Sequence, residues 1–289
     1  MLPFQKKPKQ LFQKKQNRQL LLIYFLARFF VLLYFIIMEV NAYIQEYSNL
    51  LFSNEQESVS ALNYLKNNRG LTEDIIRFFE IGYCSEKSEV PGATKEEKYL
   101  NRIFNGKIVV PIKSDCNDFL AFAVRSPSPN EKGWWNQPFE KNNNLFMLNK
   151  SREDVINSSK IYVFEGYFDS ITLYQYGVKN VCSLMGTTLG YRKIGILARY
   201  CDKMCLCYDM DKKNENTQVE AGQLARAKAI SQLYQYGWKN ISAISLPIGT
   251  DPDEYVIKNG KNAFIALERT LTQKDIIRVA SKYRKYAGK

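Results

Sequence analysis

Apolar residues recur at helical spacing over 40–51 and again over 57–65, and that spacing predicts two helices. Asn67-Asn68-Arg69-Gly70 ends the second, and Thr72 opens a third over 73–79 with acids in its first turn. A polar stretch at 84–98 holding Pro91-Gly92 predicts a loop. The apolar runs 107–112 and 119–124 predict strands separated by a turn at 115–118, and the Ser/Pro/Asn-rich residues 126–144 predict a second loop. After residue 158 the rhythm changes. Short apolar strands are expected at 161–164, 181–184, 203–208 and 241–246, alternating with helices at 168–176, 191–199 and 219–236. Such alternation implies an α/β fold with a parallel sheet covered by helices on both faces.

Composition narrows the chemistry. The 289 residues are 45% hydrophobic and 24% charged, which argues against a disordered tail protein or a small disulfide-stapled scaffold. The chain contains no histidine, so Ser-His-Asp and Cys-His catalysis and His-ligated metal sites are excluded. The formal charge is +12, and part of the excess lies at the N-terminus, where Lys6, Lys7, Lys9, Lys14, Lys15, Arg18 and Arg28 meet no acid before residue 38. The remainder stays mildly basic, which suits polyanionic partners as well as plain solubility. Residues 20–37 are apolar except for Arg28. By length they could barely span a bilayer, but the central arginine is costly there, and translation from Met38 is the alternative. Cys84, Cys116, Cys182, Cys201, Cys205 and Cys207 form no CxxC pair. A thiolate metal site on Cys201, Cys205 and Cys207 lacks a fourth ligand, so the pattern predicts buried free thiols in a reducing compartment, with Cys205 and Cys207 on one face of a strand.

Carboxylates occupy the informative places. Glu165 directly follows strand 161–164, Asp209 and Asp211 follow strand 203–208, and Asp251 and Asp253 come just after strand 241–246. In an open parallel sheet, sites form at the carboxyl ends of the strands. For any single acid a helix cap or a solvated turn suffices, and Asp251 before Pro252 fits an N-cap. For the set together, mutual repulsion calls for a hard divalent cation, and the function that follows is two-metal phosphoryl transfer.

The residues around these acids resemble a known family. Val163-Phe164-Glu165-Gly166-Tyr167-Phe168-Asp169 is similar to the opening motif of the TOPRIM domain of bacterial DnaG-type primases. Ser183-Leu184-Met185-Gly186-Thr187 resembles its second strand and Gly-Thr turn, Tyr208-Asp209-Met210-Asp211 its Asp-x-Asp motif, and Leu246 to Asp253 its Asp-Pro-Asp segment. Upstream, Tyr64-Leu65 to Leu71, Phe79 to Tyr83, Lys107 to Ile112, Phe122 to Arg125 and Trp135 to Lys141 resemble the first subdomain of the primase core. The resemblance covers roughly 38–268 and implies a TOPRIM-type, mostly parallel sheet preceded by a smaller α+β subdomain. The expected organisation is an N-terminal extension over 1–37, a core subdomain over 38–158, a TOPRIM domain over 159–249, and a helical segment with a basic tail over 250–289.

The resemblance implies roles as well. Glu165, Asp209 and Asp211 would be catalytic and hold Mg²⁺ or Mn²⁺, with Asp251 and Asp253 as further metal-site acids and Asp169 in an outer acidic shell. Lys107, Arg125 and Lys141 would contact template or nucleotide. The activity implied is that of a DNA primase, a DNA-directed RNA polymerase and nucleotidyltransferase that synthesises RNA primers on single-stranded DNA from ribonucleoside triphosphates. A replicative helicase or a separate zinc-ribbon protein is the implied partner, a cytoplasmic location is expected, and a membrane partner is not. The family's zinc ribbon and helicase-binding domain are not among these residues, so no zinc is expected. Met210 stands where the family usually has glycine, and 212–220 looks like an insertion. These departures motivate a second reading, a non-catalytic nucleic-acid- or replisome-binding remnant. A third, a TOPRIM nuclease or topoisomerase, shares the acids; the 19 tyrosines decide nothing about it, but the chain is short for a topoisomerase's separate nucleophile domain.

Overall fold

The computed structural model describes residues 39–86, 88, 98–128, 131, 133–209 and 221–287. The apolar segment 20–37, Met38, Pro91-Gly92, Met210, Asp211 and the 212–220 insertion lie outside the described residues. Among those described, no helix is long and apolar enough to cross a membrane.

A helical run over 39–51 (α1) leads into α2 (Gln56–Asn63), which widens into a π-turn at Tyr64–Asn68 before α3 (Glu73–Phe78). Thr72 caps α3 through its hydroxyl, which accepts from the Ile75 amide at 3.4 Å, with Glu73 and Asp74 in the first turn where the helix dipole favours them. An antiparallel sheet follows in the order β1 (Gly82–Cys84), β2 (Lys107–Lys113), β3 (Phe119–Arg125), β4 (Trp135–Asn136), with α4 (Lys98–Phe104) against it. Pro111 lies inside β2 but past the reach of β1, which pairs only as far as Val109, so a proline is tolerated on that open edge.

The second sheet has the order β6-β5-β7-β8-β9. Strands β5 (Lys160–Phe164), β6 (Val181–Ser183), β7 (Lys203–Cys207) and β8 (Asn240–Ile244) are parallel, and β9 (Glu268–Thr270) closes the edge antiparallel to β8. The helices are α5 (Leu148–Ser158), α6 (Tyr167–Gln175), α7 (Gly190–Leu197), α8 (Ala221–Tyr236), α9 (Pro252–Ala266) and α10 (Gln273–Ala287). Alternation along β7 sends Met204 and Leu206 to one face, with Ile194, Ala229 and Leu233, and Cys205 and Cys207 to the other, with Phe164, Ile171 and Phe264. The second of these cores continues without a break into the first subdomain through Leu65, Ile76, Val110 and Ala123. Helix α6 sits in that shared core, and Tyr167 through Leu173 are all buried, the polar Asp169, Ser170 and Thr172 among them.

Several elements were invisible to hydrophobic periodicity. Helix α5 buries only the narrow stripe Leu148, Ser151 and Val155. The predicted loop over 126–144 contains the two-residue β4 and a 3₁₀ turn at Lys141–Asn143, and α4 starts inside the stretch expected as loop, at Lys98. β9 is three largely polar residues that only pairing with β8 makes a strand. The expected thiol burial holds for all but Cys116, which is exposed in the β2–β3 turn. Cys205 and Cys207 lie 3.9 Å apart on one face, while Cys201 belongs to the opposite core, so the three thiols do not converge.

Candidate active site at the carboxyl ends of the parallel strands

Sheet register sets the geometry. Phe164 pairs with Ser183 of β6 and with Cys207 of β7, so the residues leaving the three strands emerge at one level. Glu165 is the first residue beyond β5 and is held on both sides. Its carbonyl accepts from the Ser183 hydroxyl and the Gly186 amide, each at 2.9 Å, and its Oε1 accepts from the Asp209 amide at 3.2 Å. The N-terminus of α6 begins two residues later, where the helix dipole favours an anion. Tyr208 is buried beside this pair. Burial, and then the Glu165 charge, push its hydroxyl above the ordinary tyrosine range, so it stays protonated and donates to Thr187 O at 3.3 Å.

Two glycines make the approach feasible. A Cβ at Gly222, in the first turn of α8, would lie 2.2 Å from Asp209 O and 3.4 Å from Glu165 Oε1. A Cβ at Gly166 would lie 2.4 Å from Asp169 Oδ2, so what approaches that turn is the Asp169 carboxylate.

Asp169 is buried in the first turn of α6, and its pKa stands well above the usual carboxylate range. Burial is the main cause, followed by the charges of Asp253, Asp209 and Asp251. Acids from α6, from the end of β7 and from the start of α9 therefore face one another. Asp251 is the exposed residue before α9, with Pro252 at the first helical position, and its side chain makes no capping hydrogen bond. Asp253 is buried and pairs with Arg69 at 3.5 Å. The donors are all oxygen, the chemistry a hard divalent cation takes, and the buried excess of negative charge is what such an ion would offset. Among the described residues no three acidic or thiol side chains form a closed ligand group; Asp211 lies outside them.

The basic residues fall into two places. Lys107 and Arg125 line an open groove of about 340 Å³ on the first subdomain, with Arg102, Trp134 and Trp135. The Lys107 ammonium pairs with Glu131 at 2.5 Å. Arg125 stacks against Trp134 and Phe168, with its Cζ 5.8 and 5.7 Å from the ring centroids. Lys141 is not part of that groove and lies against Gly186, whose Cβ position would be 3.4 Å from the ammonium; burial lowers its pKa.

Arg69, Tyr64 and Lys193 carry no role in the motifs of the sequence. Lys193 is buried in α7 and donates to Leu184 O at 2.7 Å and Thr188 O at 3.3 Å, clasping both ends of the loop whose Gly186 amide holds Glu165. Its signal was a lysine at the fourth position between Leu189 and Leu197, on a buried helix stripe. Burial brings its pKa down to about 8; Cys182 faces it and raises the value, and Lys141 lowers it further. The unfolded chain keeps this proton to higher pH than the fold does. Stability is therefore expected to rise between about pH 8 and the ordinary lysine range, and Lys193→Met should lack that rise. Urea unfolding of both proteins at pH 7.5 and 9.5 checks it; parallel pH dependences would refute the assignment.

A glutamate held against an aspartate-bearing strand end, on a parallel sheet with an antiparallel edge, is the arrangement of a Toprim-like domain, and the family of that description matches residues 162–256. The larger chain compares with DNA primases. It is 29% identical over 244 residues to the DNA primase of Clostridium acetobutylicum, covering 77% of this chain and 39% of that protein. It is 30% identical over 234 residues to the DNA primase of Enterococcus faecalis, covering 71% and 36%. Among solved structures, a DNA primase domain from Pseudomonas aeruginosa superposes with a TM-score of 0.67 at 26% identity, covering 81% of this chain and 79% of that one. A DnaG primase catalytic domain bound to single-stranded DNA gives 0.65 at 25% identity, covering 82% and 79%. The chain is a homologue of the bacterial DnaG-type primases and has the fold of their catalytic core. It spans about two fifths of the length of the curated primases it matches.

Proposed function

We propose that the chain is the polymerising core of a DNA primase, joining ribonucleotides on a single-stranded DNA template. The observation that carries this reading is the Glu165 carboxylate bonded to the Asp209 amide at the ends of adjacent parallel strands, within a cluster of further acids. Glu165 and Asp209, with Asp211, would hold Mg²⁺ or Mn²⁺, and Asp251, Asp253 and Asp169 would supply the surrounding negative field. When bound, such ions stabilise charge on the attacking 3′ oxygen and on the departing pyrophosphate. The loop clasped by Lys193 keeps Glu165 in place. Lys141 and Arg125 contact phosphate of the incoming nucleotide or of the template. The groove with Arg102, Lys107, Trp134 and Trp135 takes the template, its cations tracking phosphates and its indoles offering faces on which bases stack.

Incubating the protein with single-stranded DNA, ribonucleotides and Mg²⁺ or Mn²⁺ should give short oligoribonucleotides, and a chelator should abolish them. Template cleavage without nucleotides would instead assign a nuclease, and no product of either kind, with no divalent-ion binding at millimolar concentration, would assign a binding remnant.

A further inference from the structure

Two guanidinium groups share one phenol. The Tyr64 hydroxyl accepts from Arg69 Nε at 2.9 Å and from Arg125 Nε at 3.2 Å. The local fold produces half of this arrangement. Residues 64–68 form a π-turn closed by Arg69 N–H to Tyr64 O at 3.2 Å, and that five-residue spacing sets Arg69 beside the Tyr64 ring, with Cζ 5.5 Å from its centroid. The other half is tertiary: Arg125 arrives from the end of β3. Both guanidiniums also lie near the Phe168 ring, at 4.9 and 5.7 Å, three residues beyond Glu165.

The charge is not balanced. Arg69 pairs with Asp253 at 3.5 Å, while no carboxylate among the described residues lies within ion-pair distance of Arg125. Two like charges held together with one counter-charge form a site for an anion, and guanidinium forks suit phosphate oxygens. With each Nε committed to Tyr64, the Nη groups of Arg125 and one of Arg69 make no hydrogen bond or ion pair among the described residues, which leaves them to a ligand.

We infer that Tyr64 is a positioning residue whose hydroxyl spaces Arg69 and Arg125 to grip phosphate groups at the rim of the acidic cluster. The inference rests on the polymerase reading for the source of the phosphate, the triphosphate of the incoming nucleotide or the backbone of the template. Tyr64→Phe removes one oxygen and keeps the ring.

Equilibrium dialysis with radiolabelled ATP and with a single-stranded oligodeoxynucleotide measures each source without needing primer synthesis. The expected result is a loss on the order of tenfold in affinity for one of the two probes, the scale for hydrogen bonds to charged groups, with the thermal midpoint nearly unchanged. Loss for ATP assigns the triphosphate, and loss for the oligonucleotide assigns the template. Because Tyr64 acts through both arginines, adding Tyr64→Phe to Arg125→Lys should cost less than Tyr64→Phe costs by itself, since only Arg69 is left for the hydroxyl to hold. Unchanged affinity for both probes, or fully additive losses, would overturn the inference. A wild-type protein that binds neither probe overturns it together with the polymerase reading, and one that binds but makes no primer overturns that reading alone.

Discussion

Asp209→Asn is expected to abolish divalent-ion-dependent nucleotide joining while leaving the ion-free protein at least as stable as the wild type. The two halves of this result have one cause. Asp209 lies at the end of β7 with its amide on Glu165, and its charge helps to raise the pKa of buried Asp169. Turnover should fall at least about 10²-fold, the scale on which removal of one preorganised charge-stabilising group is felt. Unfolding free energy without metal should stay level or rise by up to about 1 kcal/mol, because one of several mutually repelling acids has been neutralised.

A pH signature accompanies it. The folded protein keeps the Asp169 proton above the ordinary carboxylate range, where the unfolded chain has already shed it. Wild-type stability therefore falls as pH rises through that window, and the variant should show a shallower fall. Added MnCl₂ should stabilise the wild type and have little effect on the variant. A variant with wild-type turnover and full manganese stabilisation would remove Asp209 from the site.

Gly222→Ala should be destabilising although helix propensity alone favours alanine by about 1 kcal/mol. Its Cβ would stand 2.2 Å from a carbonyl oxygen and 3.1 Å from the carbonyl carbon of Asp209, and backbone cannot swing aside as a side-chain tip can. Relief must come from moving the start of α8 or the end of β7, at roughly 1–3 kcal/mol for overpacking, and either shift disturbs the Glu165–Asp209 contact. Loss of stability and of activity together are expected. Gly195→Ala in α7 is the control, since its Cβ would meet only the Tyr236 hydroxyl at 3.5 Å, so propensity should prevail and stability should hold or rise. Denaturant unfolding of the two variants gives opposite signs if close approach decides; a stable, active Gly222→Ala protein would show that α8 can yield without cost.

The acids show how much of this site was readable beforehand. Glu165, Asp209, Asp251 and Asp253 were found because each follows an apolar run short enough to be a buried parallel strand, and chain order alone places such residues at one edge. Asp169 was readable only as an outer acid; that it is buried, with a raised pKa, depends on α6 lying between the sheet and the first subdomain. Tyr64, Arg69 and Lys193 carried no comparable signal. A tyrosine or lysine within a helical pattern looks the same whether its polar tip meets water, a guanidinium or a loop carbonyl, and the partners here are 61 residues away for Tyr64 with Arg125 and 9 for Lys193 with Leu184. β9 escaped for a related reason: an edge strand of three residues has too few positions to show a period of two.

By itself, the amino-acid sequence determined the strand–helix alternation, the exclusion of histidine chemistry, and the delivery of carboxylates to the ends of successive strands, because hydrophobic period and residue type are local properties. The tertiary structure decided which of those groups touch: Glu165 on the Asp209 amide, Asp169 among the other acids, two arginines on one phenol. Those contacts depend on sheet register, on the packing of α6 and α8 over the strand ends, and on the absence of a Cβ at Gly222, all of which arise only when distant segments share one core.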